Sequence, residues 1–211
     1  MNISANCRSV LLCAALLLAN LSLHGATKDL FNGHDLAGWV LMNGGEWSVE
    51  DGILEGRNGT NWTTNPEKSG SWLRTEKPYG DFVLELEYAI NAGGNSGIHF
   101  RSALEKNPSF TGYEMQILAD PNSPPSKGGV GSIYDLVAPT RNASKKPGEW
   151  NMVRITCQGK RIQVEMNTEK IVDHESDRSL SGYIGLQNHD AHAVVKFRNV
   201  RITELAPGAG R

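Results

Sequence analysis

Nothing in this 211-residue chain amounts to a spanning segment, a basic face or a cysteine framework. The longest apolar run, Val10 to Leu18, has nine residues, where a helix crossing a bilayer needs ~20. Twenty-one Lys and Arg face 23 Asp and Glu, for a net charge of −2. The electrostatic footprint that a nucleic-acid backbone requires is therefore absent. Cysteine is scarce: Cys7 and Cys13 sit in the N-terminal leader, leaving Cys157 alone and without an internal disulfide partner. No G-x-S-x-G, H-E-x-x-H, EF-hand, Walker or dinucleotide fingerprint occurs. Nor does any apolar stripe at helical spacing run long enough for a major helix. With 39% hydrophobic and 21% charged residues, the remaining composition is that of an ordinary globular domain.

Residues 1–26 read as a secretory signal peptide. Arg8 is the positive start, VLLCAALLL the apolar centre, and Gly25-Ala26 the small residues before cleavage. That places the mature protein outside the cytoplasm, secreted or periplasmic, with no membrane contact once the leader is removed. A lipid anchor at Cys13 is the alternative, disfavoured by the bulky Leu12 before it. Residues 27–205 form one domain, and 206–211 a frayed tail.

The domain alternates short strands and turns. The runs are 47–50, 52–55, 81–90, 97–101, 113–118, 151–157, 161–166, 183–187 and 194–202, punctuated by Asp51-Gly52, Gly93-Gly94-Asn95 and Gly159-Lys160. About ten such strands predict an all-β, two-sheet antiparallel sandwich or jelly roll. The long stretches 56–71, 119–132 and 138–149 are candidates to wall a binding site.

Alternate residues of a strand share a face. Ile98 and Phe100 then oppose His99 and Arg101, and Tyr113, Met115 and Ile117 oppose Glu114 and Gln116. Ile184 and Leu186 oppose Gln187 and His189, while Phe82, Leu84, Leu86 and Tyr88 oppose Glu85 and Glu87. If the strands share one sheet, its outer face gathers Glu87, His99, Arg101, Glu114, Gln116, Gln187 and His189. A merely solvated face is the plain alternative. Two His and two Gln, together with Gly97, Gly112 and Gly185 beside the polar rows, favour a site that a ligand approaches closely. Tyr134 and Asp135 could reach over the sheet, although Asp135 fits a turn equally well. Of five indoles, Trp62 in the polar loop NGTNWTTNPEK is placed to stack on a sugar. Cys157 reads as a buried, inert thiol.

Seven segments, in order, resemble the 3-keto-disaccharide hydrolase domain family: LFNGHDLAGW (30–39), WSVEDGILEG (47–56), SWLRTEKPYGDFVLELEYAINAGGNSGIHFRS (71–102), GYEMQILAD (112–120), GSIYDLVAP (131–139), GEWNMVRITCQGKRIQVEMN (148–167) and GYIGLQNHDAHAVVKFRNVRI (182–202). The resemblance implies a concanavalin-like jelly roll with a concave binding face, and a carbohydrate substrate oxidised to a ketone at C3. It implies too that a 3-dehydrogenase acts upstream to make that ketone. A C3 ketone acidifies the C2 proton, so a base can form an enolate that expels the C1 oxygen before water adds back. Such chemistry needs a base with pKa near neutrality, donors at the ketone and a proton source for the leaving group. Glu114 is the candidate base, with His189 as acid or alternative base. Arg101, Gln116 and Gln187 are candidates to hold ketone and hydroxyl oxygens, Arg101 best suited to the enolate. Glu87, His99, Tyr134, Asp135 and Trp62 complete the substrate-binding set. No cofactor is required by the sequence, and a divalent metal on Glu and His ligands is compatible with it. Two rivals stand: a carbohydrate-binding module without turnover, and a conventional glycosidase using Glu87 and Glu114.

Overall fold

The computed structural model describes residues 25–60, 70–105 and 107–206. The signal-peptide residues up to 24, Trp62 and most of the tail lie outside that set. The chain folds as two packed antiparallel sheets. One contains β1 (Lys28–Asp29), β3 (Glu46–Glu50), β4 (Ile53–Arg57), β6 (Phe82–Ile90), β9 (Asn151–Gln158), β10 (Arg161–Met166), β11 (Glu169–Glu175) and β13 (Val195–Glu204). Its order is β11-β10-β9-β6-β13-β4-β3, with β1 paired to β13. The other runs β2-β5-β12-β7-β8, from β2 (Trp39–Met42), β5 (Ser71–Thr75), β12 (Tyr183–Asn188), β7 (Asn95–Ser102) and β8 (Tyr113–Leu118). Among the described residues the one helix is a single turn, α1 (Pro108–Thr111), entered through an Asn107 cap and leading into β8.

The alternating patterns dictate which faces meet. Phe82, Leu84, Leu86 and Tyr88 of β6, Val153, Ile155 and Cys157 of β9, and Val195, Phe197 and Ile202 of β13 face inward from the larger sheet. They meet Leu73, Ile98, Phe100, Tyr113, Met115, Ile117, Ile184 and Leu186 from the smaller one. Removing these side chains from water is the main stabilising term, worth roughly 2 kcal/mol for each large aliphatic or aromatic group. Cys157 is wholly buried among them, and burial pushes its thiol up to about 12.

Three β-bulges break the simple alternation, one of them between β10 and β11. In β13, Arg198 pairs with Glu87 but Arg201 with Glu85, and the extra residue falls at Asn199, whose φ is 54°. In β7, Tyr183 pairs with Ser102 but Gly185 with His99, so one residue is inserted before Ser102. Arg101 takes the left-handed conformation there, φ 52°. A bulge re-aims the side chain it carries, which decides the fate of Arg101.

Candidate functional site

The polar residues of β7, β8 and β12 fall in two rows across the outer face of the smaller sheet. Pairing puts Gly185, His99 and Glu114 in register, with Tyr134 beyond them, its backbone N–H donating to the Glu114 carbonyl at 2.8 Å. In the next row Gly97 pairs with Gln116, whose N–H donates to Ser132, while Gln187 pairs with Trp72 of β5. Above these rows lies a cleft of about 330 Å³ lined by Asn95, Asn107, Ser109, Phe110, Glu114, Gln116, Tyr134, Gln187 and His189.

Glu114 is 3% exposed and lies across Gly97, where an added Cβ would overlap its Oε1. Burial raises its pKa to about 7, although hydrogen bonds from Ser109 and Gln187 pull the other way. With the Gln116 amide turned so that its nitrogen faces them, it donates to the Ser96 carbonyl at 3.2 Å and to Glu114 Oε1 at 3.3 Å. The carboxyl therefore sits between two glutamines. Gly185 has the same purpose beneath Trp72, whose ring would clash with any Cβ there. Gly97 and Gly185 thus admit protein side chains, and Gly112 the Arg101 backbone, in place of a ligand.

His189 lies just past the end of β12 and at the other end of the cleft from α1, because β12 and β8 run the same way across β7. Its Nδ1 meets Asp190 Oδ2 at 2.7 Å. Partial burial raises the Asp190 carboxyl, but His189 and the N–H groups of His192 and Ala193 outweigh it and hold the pKa below the ordinary value. An ionised Asp190 fixes the orientation of the His189 ring.

Other expected members are placed differently. His99 shares the face with Glu114 but lies beneath the cleft, fully buried and edge-on to Trp72 at 5.5 Å between ring centres. Burial, and then the proximity of His189, lower its pKa to about 3, so it is neutral. Its two ring nitrogens and Gln187 Oε1 are buried polar atoms without a protein partner.

Arg101 does not reach the cleft. The bulge turns it into the protein, 0% exposed, where Nε donates to Gly80 O at 2.9 Å and one NH group to Gly159 O at 2.8 Å. The other NH group meets Asp81 Oδ1 at 2.9 Å. Gly112 and Gly182 flank its backbone so closely that a Cβ at either would strike it. Glu87 fails for another reason: β6 belongs to the larger sheet, where Glu87 faces outward and is held by Arg198 at 2.6 Å and Asn199 at 2.6 Å. A glycosidase pair of Glu87 and Glu114 is thereby ruled out. Asp135 is an exposed turn residue with φ 57° and does not line the cleft. Trp62 lies outside the described residues.

Asn95, Asn107, Ser109 and Phe110 were not anticipated. Alternation in β7 places Asn95 with Gly97 and His99, so it could have been found; the α1 residues carried no periodic signal. Among the described residues no three His, Cys, Asp or Glu side chains gather as metal ligands.

The profile of the 3-keto-alpha-glucoside-1,2-lyase-like domain matches residues 26–203. The chain belongs to this family. A protein named 3-keto-disaccharide hydrolase from Bacteroides thetaiotaomicron is 23% identical over 227 residues, covering 83% of this chain and 77% of that one. A crystal structure from Parabacteroides distasonis, provisionally assigned as a glycosyl hydrolase, superposes with a TM-score of 0.70 at 26% identity, covering 86% of this chain and all of the other. The carbohydrate-binding module CBM66 of Bacillus subtilis shares the fold, with a TM-score of 0.55 at 18% identity over 78% of this chain and 94% of its own. The 3-keto-alpha-glucoside-1,2-lyase-like family thus sits on a jelly roll that also serves proteins named only for binding.

Proposed function

We propose that the protein is an exported hydrolase of 3-keto-glycosides, working by elimination and hydration. The observation that carries this reading is the lone carboxylate: of the nine cleft-lining residues only Glu114 is acidic, and its pKa is about 7. A conventional glycosidase needs two carboxyl groups about 5–10 Å apart, whereas proton abstraction beside a ketone needs one base poised near neutrality. The names of the family and of its Bacteroides relative agree with such a substrate. The apolar run at residues 10–18 supports export.

In the reaction, Glu114 takes the proton from C2 and the electron pair moves to the C3 oxygen. Arg101 was the expected partner of that oxyanion, but His189, backed by Asp190, is the one cleft-lining side chain able to carry positive charge. Gln116, Gln187 and Asn95 supply amides for the ketone and neighbouring hydroxyls. The enolate then re-forms the ketone and the C1–O bond breaks, the leaving oxygen taking the proton that Glu114 had removed from C2. Water then adds its OH to C1 of the C1–C2 double bond, and the proton it releases passes through the freed Glu114 carboxylate to C2. The products are the 3-keto-sugar and the free alcohol.

The test is release of alcohol from a methyl 3-keto-glucoside and from its unoxidised parent. Turnover should be confined to the keto form, with kcat/KM rising tenfold per pH unit below about 7 and flat above it. Glu114→Gln should lower it by at least 10³-fold. Cleavage of the parent, or an active Glu114→Gln protein, would overturn the mechanism.

A further inference from the structure

The cleft is polar at one end and aromatic at the other. The amides of Asn95, Gln116 and Gln187 and the His189–Asp190 pair occupy the end reached by the last residues of β12. At the opposite end, where α1 runs into β8, Phe110 stands 51% exposed with its ring 6.0 Å from that of Tyr134, inclined at 61°. Although α1 is one turn long, it is fixed. Asn107 caps it, and the Arg178 guanidinium donates to the carbonyls of Gly112 at 3.2 Å and Ser109 at 3.4 Å. Glu114 lies between the two ends, level with Tyr134.

This order along the cleft fixes which part of a substrate goes where. With C2 above Glu114, the ring continues to C3 on one side and C1 on the other. The ketone belongs with the group that can carry positive charge, at the His189 end. The substituent on C1 then leads toward Phe110 and Tyr134. Of the polar atoms there, Asn107 Oδ1 is engaged with the Ser109 N–H and the Ser109 hydroxyl with Glu114, which leaves the Asn107 amide nitrogen and the Tyr134 hydroxyl. A second sugar would find few partners for its hydroxyls, whereas two inclined rings make a corner into which a third ring packs. We infer that the Phe110–Tyr134 corner is a leaving-group subsite for aryl or arylalkyl aglycones. This rests on the cleft being the site of 3-keto-glycoside cleavage.

Benzyl and methyl 3-keto-glucosides separate the two ideas, since their alcohols are of similar acidity and the chemistry is matched. The wild-type protein should favour the benzyl compound by about tenfold in kcat/KM, the scale of one added aromatic contact. In Phe110→Ala the ratio should fall to within about twofold, and in Phe110→Trp it should persist, with unchanged circular dichroism in both. Calorimetry on Glu114→Gln, with and without Phe110→Ala, reads the same ratio as Kd in the absence of turnover. Equal kcat/KM for the two compounds, or a ratio indifferent to Phe110→Ala, overturns the subsite and leaves the cleavage reading intact. If neither compound is cleaved, the cleavage reading fails and the Kd ratio alone decides whether the corner binds an aromatic ring.

Discussion

Glu114→Gln should make the protein more stable as the pH rises, and by an amount that the structure sets. The carboxyl ordinarily titrates at 4.5 and here at about 7, because burial penalises its charged form. In the unfolded chain Glu114 loses its proton near 4.5, while the folded protein keeps it to about 7. Between those values the native state holds more protons than the unfolded one, so stability falls as pH rises. At about 1.4 kcal/mol per pH unit, the full loss is about 3 kcal/mol. Glutamine keeps the shape and cannot ionise. Other titrating groups are common to both proteins and cancel in the difference. The variant and the wild type should therefore match near pH 4, and the variant should lead by up to about 3 kcal/mol at pH 8. That is equivalent to about 6–12 °C in Tm for a domain of this size. Urea titrations of both proteins from pH 4 to 8.5 measure it directly. A stability difference that does not change with pH would refute the claim that Glu114 ionises in a buried site.

Gly97→Ala tests the packing that shapes the base. Gly97 has ordinary backbone angles, so the new methyl acts only by displacing the Glu114 carboxyl it would overlap. We expect kcat/KM to fall by about 10²-fold and its acid limb to move below pH 7 as the carboxyl is pushed toward water; an unaltered pH profile would contradict this. Arg101→Lys keeps the charge but cannot span Gly80, Gly159 and Asp81 together. It should cost about 2 kcal/mol in urea denaturation while leaving KM for a keto-glucoside within twofold; a large rise in KM would restore Arg101 to the substrate.

The fold was largely legible because one-sided strands advertise their period. β6, β8, β9 and β10 alternate as read, and Phe82 to Tyr88 point inward as expected. β5 was not recognised as a strand, since Ser-Trp-Leu-Arg-Thr is covered on both faces and shows no alternation. Parity also placed His99, Glu114, Gln116 and Gln187 correctly on one face. It misplaced Glu87, because alternation says which side of a strand a residue takes but not which sheet the strand joins. It misplaced Arg101 because a bulge at a non-glycine residue leaves no local mark. The signal lay outside the strand, in Gly112 and Gly182, which make room for the bulged backbone.

The arrangement around Glu114 runs against economical folding at several points at once. A carboxyl is buried, a histidine is kept neutral with both nitrogens unpaired, and two strand glycines surrender packing to let Glu114 and Trp72 lie across them. Local rules broken together in one place mark a functional site more strongly than any one alone. A cleft that only held sugar could present an ionised, hydrated carboxylate, which accepts hydrogen bonds from hydroxyls without a desolvation cost. Raising the pKa of the single acid to about 7 gains nothing for that purpose, since it leaves the group part-protonated and a poorer acceptor. It gains a base strong enough to take a proton from carbon beside a ketone, and able to give it back, within the same pH range.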